Sequence, residues 1–183
     1  MSGQFFAVVG PSGVGKDTLM AQACAQVPGL ACVRRVITRD AGAGGEAFDA
    51  VTEPDFAAMV QRGAFALHWA AHGLRYGIPA GVIGRLARGE RLLCNLSRGA
   101  LPAAAKAFPG MRVLHVTARP DVLAARLAAR GRESDGDIAR RLARSAPLPE
   151  TLPEGVQVVN IDNSGALDDA LAAMIRALQP ERA

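Results

Sequence analysis

Gly10-Pro11-Ser12-Gly13-Val14-Gly15-Lys16 is the stretch on which the reading of this chain turns. It matches the G-x-x-x-x-G-K phosphate loop, and its flanks supply the context that the pattern requires. Before it, Gln4 to Val9 is a short apolar run, aromatic and β-branched, that reads as a strand. After it, an Ala/Leu/Gln run to about Gln26 reads as a helix. Glycines let the backbone curl so that successive N–H groups point at one phosphate. The helix N-terminus adds the positive end of its dipole, and the lysine reaches the β and γ phosphates. Gly10, Pro11, Ser12, Gly13, Val14, Gly15 and Lys16, with Asp17 and Thr18 behind them, are therefore the expected nucleotide-binding set. Where a serine or threonine ordinarily meets magnesium stands Asp17, and the hydroxyl follows one residue later at Thr18. The Asp17 carboxylate suits the metal, directly or through a water, and it equally suits the electropositive helix start.

The rest of the composition narrows the class of ligand. A chain of 183 residues, 50% hydrophobic and 21% charged, is one globular domain. No run approaches the roughly 18 apolar residues of a membrane span, and the N-terminus lacks the pattern of a signal peptide, so a cytoplasmic protein is expected. Cys24, Cys32 and Cys94 are odd in number and contain no Cys-x-x-Cys pair, which predicts reduced core thiols rather than a disulfide framework or a thiolate metal site. The net charge of +4 suits a polyanion. With aromatics at only 4%, stacking platforms for nucleic acid are lacking, and a polyphosphorylated small molecule is favoured. Lys16 is one of just two lysines, the other being Lys106, so its place in the glycine-rich loop stands out.

Along the chain, strands are predicted at Val33 to Thr38, Phe65 to Trp69, Leu92 to Asn95, Val113 to Thr117 and Val156 to Ile161. Helices are predicted at Glu53 to Arg62 behind Thr52 as N-cap, Gly81 to Arg88, Leu101 to Phe108, Pro120 to Arg130, Asp135 to Arg144 and Ala166 to Leu178. Arg39 to Thr52 reads as an irregular loop, and so does Pro147 to Pro153. Alternating strands and helices imply a parallel sheet in a three-layer α/β domain.

These motifs together resemble the guanylate kinase family of P-loop NTPase-fold kinases, from about Phe5 to Leu178. The matching pieces are the phosphate loop, Thr38-Arg39, Phe65 with Tyr76-Gly77, Gly99-Ala100, Arg130-Gly131-Arg132 and Ile138 to Leu142. The resemblance implies one guanylate-kinase-like domain over 1–183, with an acceptor-binding region at about 34–90 and a lid at about 130–148. The departures are specific. Phe48-Asp49-Ala50 stands for the family's Tyr-His-Phe run, Leu67 for the guanine-reading glutamate and Ile78 for a serine or threonine. Leu96-Ser97-Arg98 replaces the segment with the acidic residue before Gly-Ala. A pocket lacking those polar groups would leave guanine unpaired and would bind it poorly.

The replacements resemble the ribose 1,5-bisphosphate phosphokinase family, linked to phosphonate breakdown, in which an aspartate after the lysine is usual. Arg35-Val36-Ile37-Thr38-Arg39, Glu46, Phe65 to Trp69, His72 to Gly77, Asn95 to Arg98 and Gly131-Arg132-Glu133 carry that likeness. It implies ATP with Mg2+, a phosphorylated sugar as acceptor, no nucleic acid or membrane partner, and leaves room for a homodimer. The implied roles are Lys16, Arg130, Arg132 and Arg141 on the transferring phosphoryl group and Asp17 on the metal. Arg35, Arg39, Glu46, Trp69, Tyr76, Ser97 and Arg98 would hold the acceptor. Blander readings stand beside these: a solvated helix face for Arg140 to Arg144, core packing for Trp69, and a turn rather than an adenine edge for Asn160 to Asn163. A guanylate or other small-molecule kinase, or a binding module without catalysis, are the competing functions. His68 and His72 have the spacing of a helical metal pair, but Trp69 and Gly73 around them suggest a strand entering a turn.

Overall fold

The computed structural model describes residues 3–43, 46–129, 148, 152–153 and 155–179. The strand feeding the phosphate loop, β1 (Gln4–Val9), lies at the middle of the main sheet. Its side chains are buried on both faces, as a central parallel strand requires: Phe6 and Val8 join one core cluster, and Phe5, Ala7 and Val9 the other. The loop runs into α1 (Lys16–Gln26), which leads to β2 (Leu30–Cys32) and then β3 (Arg35–Ile37). After a 3₁₀ turn at Ala41–Ala43 come β4 (Phe48–Ala50), α2 (Glu53–Gln61), β5 (Phe65–Ala71), β6 (Leu74–Pro79) and α3 (Gly81–Ala87). The chain then returns through β7 (Arg91–Asn95), α4 (Leu101–Ala107), β8 (Arg112–Thr117), α5 (Pro120–Ala129), β9 (Gln157–Asp162) and α6 (Leu167–Leu178).

Five strands form a wholly parallel sheet in the order β2-β7-β1-β8-β9, with helices against it, the α/β layering expected of a P-loop kinase. The alternation does not run through the whole chain, however. Residues 35–79 supply a second sheet, β4-β3-β6-β5, in which β6 is antiparallel to both β3 and β5. The strand expected at Val33 to Thr38 is β3 at Arg35–Ile37, and it is preceded by β2 at Leu30–Cys32, which the sequence reading did not include and which belongs to the other sheet. Val33 still donates to Leu93 of the main sheet at 2.8 Å, whereas Val36 and Ile37 already pair with Gly77 and Tyr76 of the second. The expected loop at 39–52 also contains β4, which pairs in parallel with β3.

The hairpin β5-β6 turns at His72 and Gly73, with φ of 53° and 74°. Two consecutive left-handed residues between paired Ala71 and Leu74 give the backbone twist that a two-residue hairpin needs. His68 and His72 are thus on a strand and in its turn, and no group of three metal-ligating side chains occurs among the described residues. Helix α2 starts as the sequence indicates, Thr52 accepting from the Asp55 N–H at 3.2 Å with proline in the first turn. No described helix is long and apolar enough to cross a membrane.

Cys24 of α1 and Cys32 of β2 form a disulfide across a Cα separation of 6.2 Å, correcting the expectation of three reduced thiols. The helix packs against the edge strand that follows it, and that return brings together two residues eight apart; spacing along the chain does not show it. Cys94 is free and buried, and loss of hydration pushes its thiol up to about 12. Alkylation without reductant is therefore expected to spare the Asp17–Arg34 tryptic peptide, found lighter by two hydrogens, and to reach Cys94 only on unfolding. Reduction should lower stability by about 2–3 kcal/mol, the loop-closure entropy of so short a ring. A full complement of three labelled cysteines in the unreduced, denatured protein would contradict the bridge.

Candidate active site

The phosphate loop crosses from the carboxyl end of β1 into α1, the place where an open α/β sheet offers its ligand crevice. Gly15 caps the helix at φ 92°, and a β-carbon there would fall 2.7 Å from Asn163 Nδ2. Only glycine fits, because Asn163 is built against the loop. It is 2% exposed, donates from Nδ2 to the Val14 carbonyl at 2.7 Å, and is itself held by its N–H to the Thr117 carbonyl at 2.8 Å. Tying the Val14 carbonyl outward favours the opposite, inward aim of the loop N–H groups. Its Oδ1 is buried with no hydrogen-bond partner, a cost that marks the amide N–H as the half that matters here. Sequence reading placed Asn163 at an adenine edge or in a turn; the long separation from Val14 hid its hold on the loop.

Lys16 is half-buried rather than fully exposed. Its Nζ donates to the carbonyls of Gly10 at 2.8 Å and Pro11 at 2.9 Å, so the ammonium is stored across the loop it serves. Burial lowers its pKa to about 8; Asp17 and Glu46 oppose that fall, and the positive Arg35 and Arg98 add to it. These couplings bring to one place groups from α1, β3, the 46–47 segment and the turn after β7.

Arg35 lies beneath this place. It is 5% exposed, pairs with Glu46, and has its guanidinium 5.0 Å from the centre of the Tyr76 ring and 5.9 Å from that of Trp69. Trp69 and Tyr76 are cross-strand partners stacked at 5.3 Å with planes 10° apart, and Trp69 Nε1 donates to Ser97 Oγ at 2.9 Å. The second sheet is thus stitched to the β7 end of the main sheet. Arg35 Nε has no partner, so one carboxylate and two ring faces carry a nearly buried cation. Burial raises the Tyr76 pKa, which keeps the phenol neutral. Arg98, partly exposed, has its own pKa lowered by desolvation.

The other expected residues separate. Arg39 lies over Phe48 at 5.6 Å and lines a cavity of about 690 Å³ with Thr38, Thr52, Glu53, Met59 and Arg62, to which the phosphate loop contributes nothing. Leu67 and Ile78 face each other across the hairpin at 8% and 0% exposure and belong to the core with Phe5, Val82 and Leu96. They fill the interior and offer no polar group there. Arg130, Arg132 and Arg141, and the lid expected around them, lie outside the described residues. Asp17 is exposed at the loop mouth, where its Oδ1 accepts from Asn95 Nδ2 at 3.4 Å. A hard carboxylate oxygen beside a phosphate loop is a donor that fits magnesium.

No protein-family model matches the chain. Among curated proteins it is 51% identical over 182 residues to the ribose 1,5-bisphosphate phosphokinase PhnN of Ruegeria sp. (strain TM1040), covering 99% of this chain and 94% of that one. The chain belongs to the ribose 1,5-bisphosphate phosphokinase family. A second member, PhnN of Agrobacterium fabrum (strain C58 / ATCC 33970), is 50% identical over 175 residues, covering 94% of each chain. The fold agrees with that of guanylate kinase from Anaplasma phagocytophilum, at a TM-score of 0.71 with 15% identity over 97% of this chain and 85% of the other. The phosphokinase family thus shares the layered P-loop kinase fold, and the likeness to guanylate kinase is one of fold.

Two measurements follow from this geometry. Asn163→Ala should raise the KM for ATP by about tenfold, the worth of one buried hydrogen bond, with the acceptor KM unchanged. Equal changes in both would mean that the residue supports the fold alone. Lys16 is charged below about pH 8 and loses its proton above it. Phosphate favours the charged form, so nucleotide affinity should fall as pH rises through about 8, with proton uptake on binding in calorimetry above that pH. An affinity flat from pH 7 to 9.5 would contradict it.

Proposed function

We propose that this chain transfers the γ-phosphoryl group of ATP to the 1-phosphate of ribose 1,5-bisphosphate, giving 5-phospho-α-D-ribose 1-diphosphate and ADP. The observation that carries the reading is the gathering of Lys16, Arg35 and Arg98 at one end of the sheet, with Asp17 and Glu46 as the acidic groups beside Lys16 among the described residues. Such a cleft attracts a nucleotide and a bisphosphate together. An oxygen of the 1-phosphate, already ionised at neutral pH, attacks the γ-phosphorus in line, and the bond from that phosphorus to the β–γ bridging oxygen breaks. No strong base is needed, and catalysis rests on position and charge.

In this reading the loop N–H groups and Lys16 hold the β and γ phosphates. Arg98, partly exposed, meets an acceptor phosphate. Arg35 acts from below through its field, and its pairing keeps Glu46 close enough to accept from a ribose hydroxyl. The stacked Trp69 and Tyr76 form a flat wall for the sugar, and Ser97 fixes the indole by its hydrogen bond. Arg39 stands at the margin of this arrangement. Magnesium, held by Asp17, would neutralise charge on the nucleotide phosphates. A need for ATP with Mg2+ suits an enzyme of the cytoplasm, where both are abundant. The core positions of Leu67 and Ile78 further support an acceptor without a base, since no polar group at those places reads one.

Turnover on ribose 1,5-bisphosphate and GMP, measured side by side, tests the proposal. A higher kcat/KM on the bisphosphate is expected, and a higher value on GMP would return the chain to guanylate kinase chemistry. Lys16→Ala should lower kcat by at least about 100-fold, about 2.7 kcal/mol of barrier, while the fold is kept. Retention of a tenth of the activity would remove Lys16 from the mechanism.

A further inference from the structure

The residue after the phosphate-loop lysine and the end of the strand beside the loop have to be read together. In P-loop NTPases the metal that accompanies the nucleotide is held by a neutral hydroxyl after the lysine and by an aspartate elsewhere in the fold. In this chain the loop position carries the charge, as Asp17. Strand β7, which lies directly beside β1, ends in the neutral Asn95. Val8 stands opposite Asn95, and the Leu96 N–H donates to the Val8 carbonyl at 2.8 Å, so Asn95 is fixed at the carboxyl end of the sheet next to the strand that feeds the loop. The two side chains meet there, Asn95 Nδ2 donating to Asp17 Oδ1 over 3.4 Å.

We propose that these two positions have exchanged their charges, so that Asp17 supplies the anionic oxygen for the magnesium of the nucleotide and Asn95 orients it as a positioning residue. The inference rests on the ATP-binding part of the proposed function and is independent of which acceptor is used. The juxtaposition explains why neither residue can take the more usual type alone. An aspartate at 95 beside Asp17 would set two carboxylates within hydrogen-bond distance, and like charges that close oppose each other's ionisation. A serine at 17 beside Asn95 would leave the pair with no negative charge at all. With the residues present, one carboxylate serves the site, and the amide that touches it is a donor that holds it while adding no charge. Magnesium is a hard ion that takes oxygen ligands, keeps several waters and is bound through one or two carboxylates, so a single aspartate with a fixed orientation suffices. A role for Asp17 as charge at the helix start alone gives no reason for Asn95 to contact it.

The test uses the full-length protein with ADP and Mn2+, the latter read by electron paramagnetic resonance, and needs neither acceptor nor turnover. Asp17→Ser should weaken Mn2+ in the ADP complex by tenfold or more while metal-free ADP affinity stays within about threefold. Asp17→Asn, which keeps the shape, should do the same. The double variant Asp17→Ser with Asn95→Asp should bring Mn2+ affinity back to within about threefold of the wild type. Unchanged Mn2+ affinity in both single variants would overturn the assignment of Asp17. A folded double variant, judged by its thermal transition and its metal-free ADP affinity, that binds Mn2+ no better than Asp17→Ser would overturn the exchange. A protein that prefers another acceptor leaves all these outcomes as they are.

Discussion

Crowding of like charge is the constraint on which the rest of this structure depends. Lys16 stands near Arg35 and Arg98 at the end of the main sheet, and burial first, with those two cations adding to it, lowers its pKa to about 8. Such a site attracts polyphosphates, and it is costly when empty because the protein must keep cations close together and partly dry. Several features of the fold answer that cost. Lys16 is stored on the carbonyls of its own loop, Glu46 is paired with Arg35, and the faces of Tyr76 and Trp69 cover the guanidinium. Each is a local arrangement, but no two of the groups come from the same element.

The proposed function gives the second sheet a part in that arrangement. A phosphate loop on a parallel sheet binds a nucleotide by itself; a second polyanion needs another set of donors held at a defined place. β3 brings Arg35, β5 and β6 bring the aromatic pair, and the Trp69–Ser97 hydrogen bond fastens them to the turn after β7. The apolar face of the same hairpin, through Leu67 and Ile78, is part of the core that also holds Phe5 and Phe108. The arm that carries the candidate acceptor residues is thus continuous with the packing that holds the nucleotide strand, so the two halves of the site share one frame.

Much of this was readable in advance. β1, the loop and α1 were legible because three signals agree over a short distance: an apolar run, a glycine pattern and a lysine in a chain almost devoid of lysines. The later described strands and helices of the main sheet were legible from periodicity within a residue or two, while the helix expected at Asp135 to Arg144 lies outside the described residues. Between residues 30 and 80, β3, α2 and β5 were legible, but β2, β4, β6 and the existence of a second sheet were not. Strands there are three to seven residues long, they belong to two sheets, and one of them, β6, is interrupted by Gly77 and ended by Pro79. Short strands make their identity by pairing, and pairing is not a property of the segment itself.

The site divides along the same line. The sequence by itself determined where the phosphate-loop pattern lies, because a nest of backbone N–H groups is made by neighbours in the chain. It also determined the family, through short groups of residues whose types are specific even when their positions in space are unknown. Tertiary structure alone decided which of the arginines is buried and paired and which is open. It also decided that Leu67 and Ile78 are core, that Cys24 meets Cys32, and that Asn163 reaches back to Val14. Those are contacts between residues brought together by packing, and their energies depend on burial and distance, which no local pattern of residue types contains.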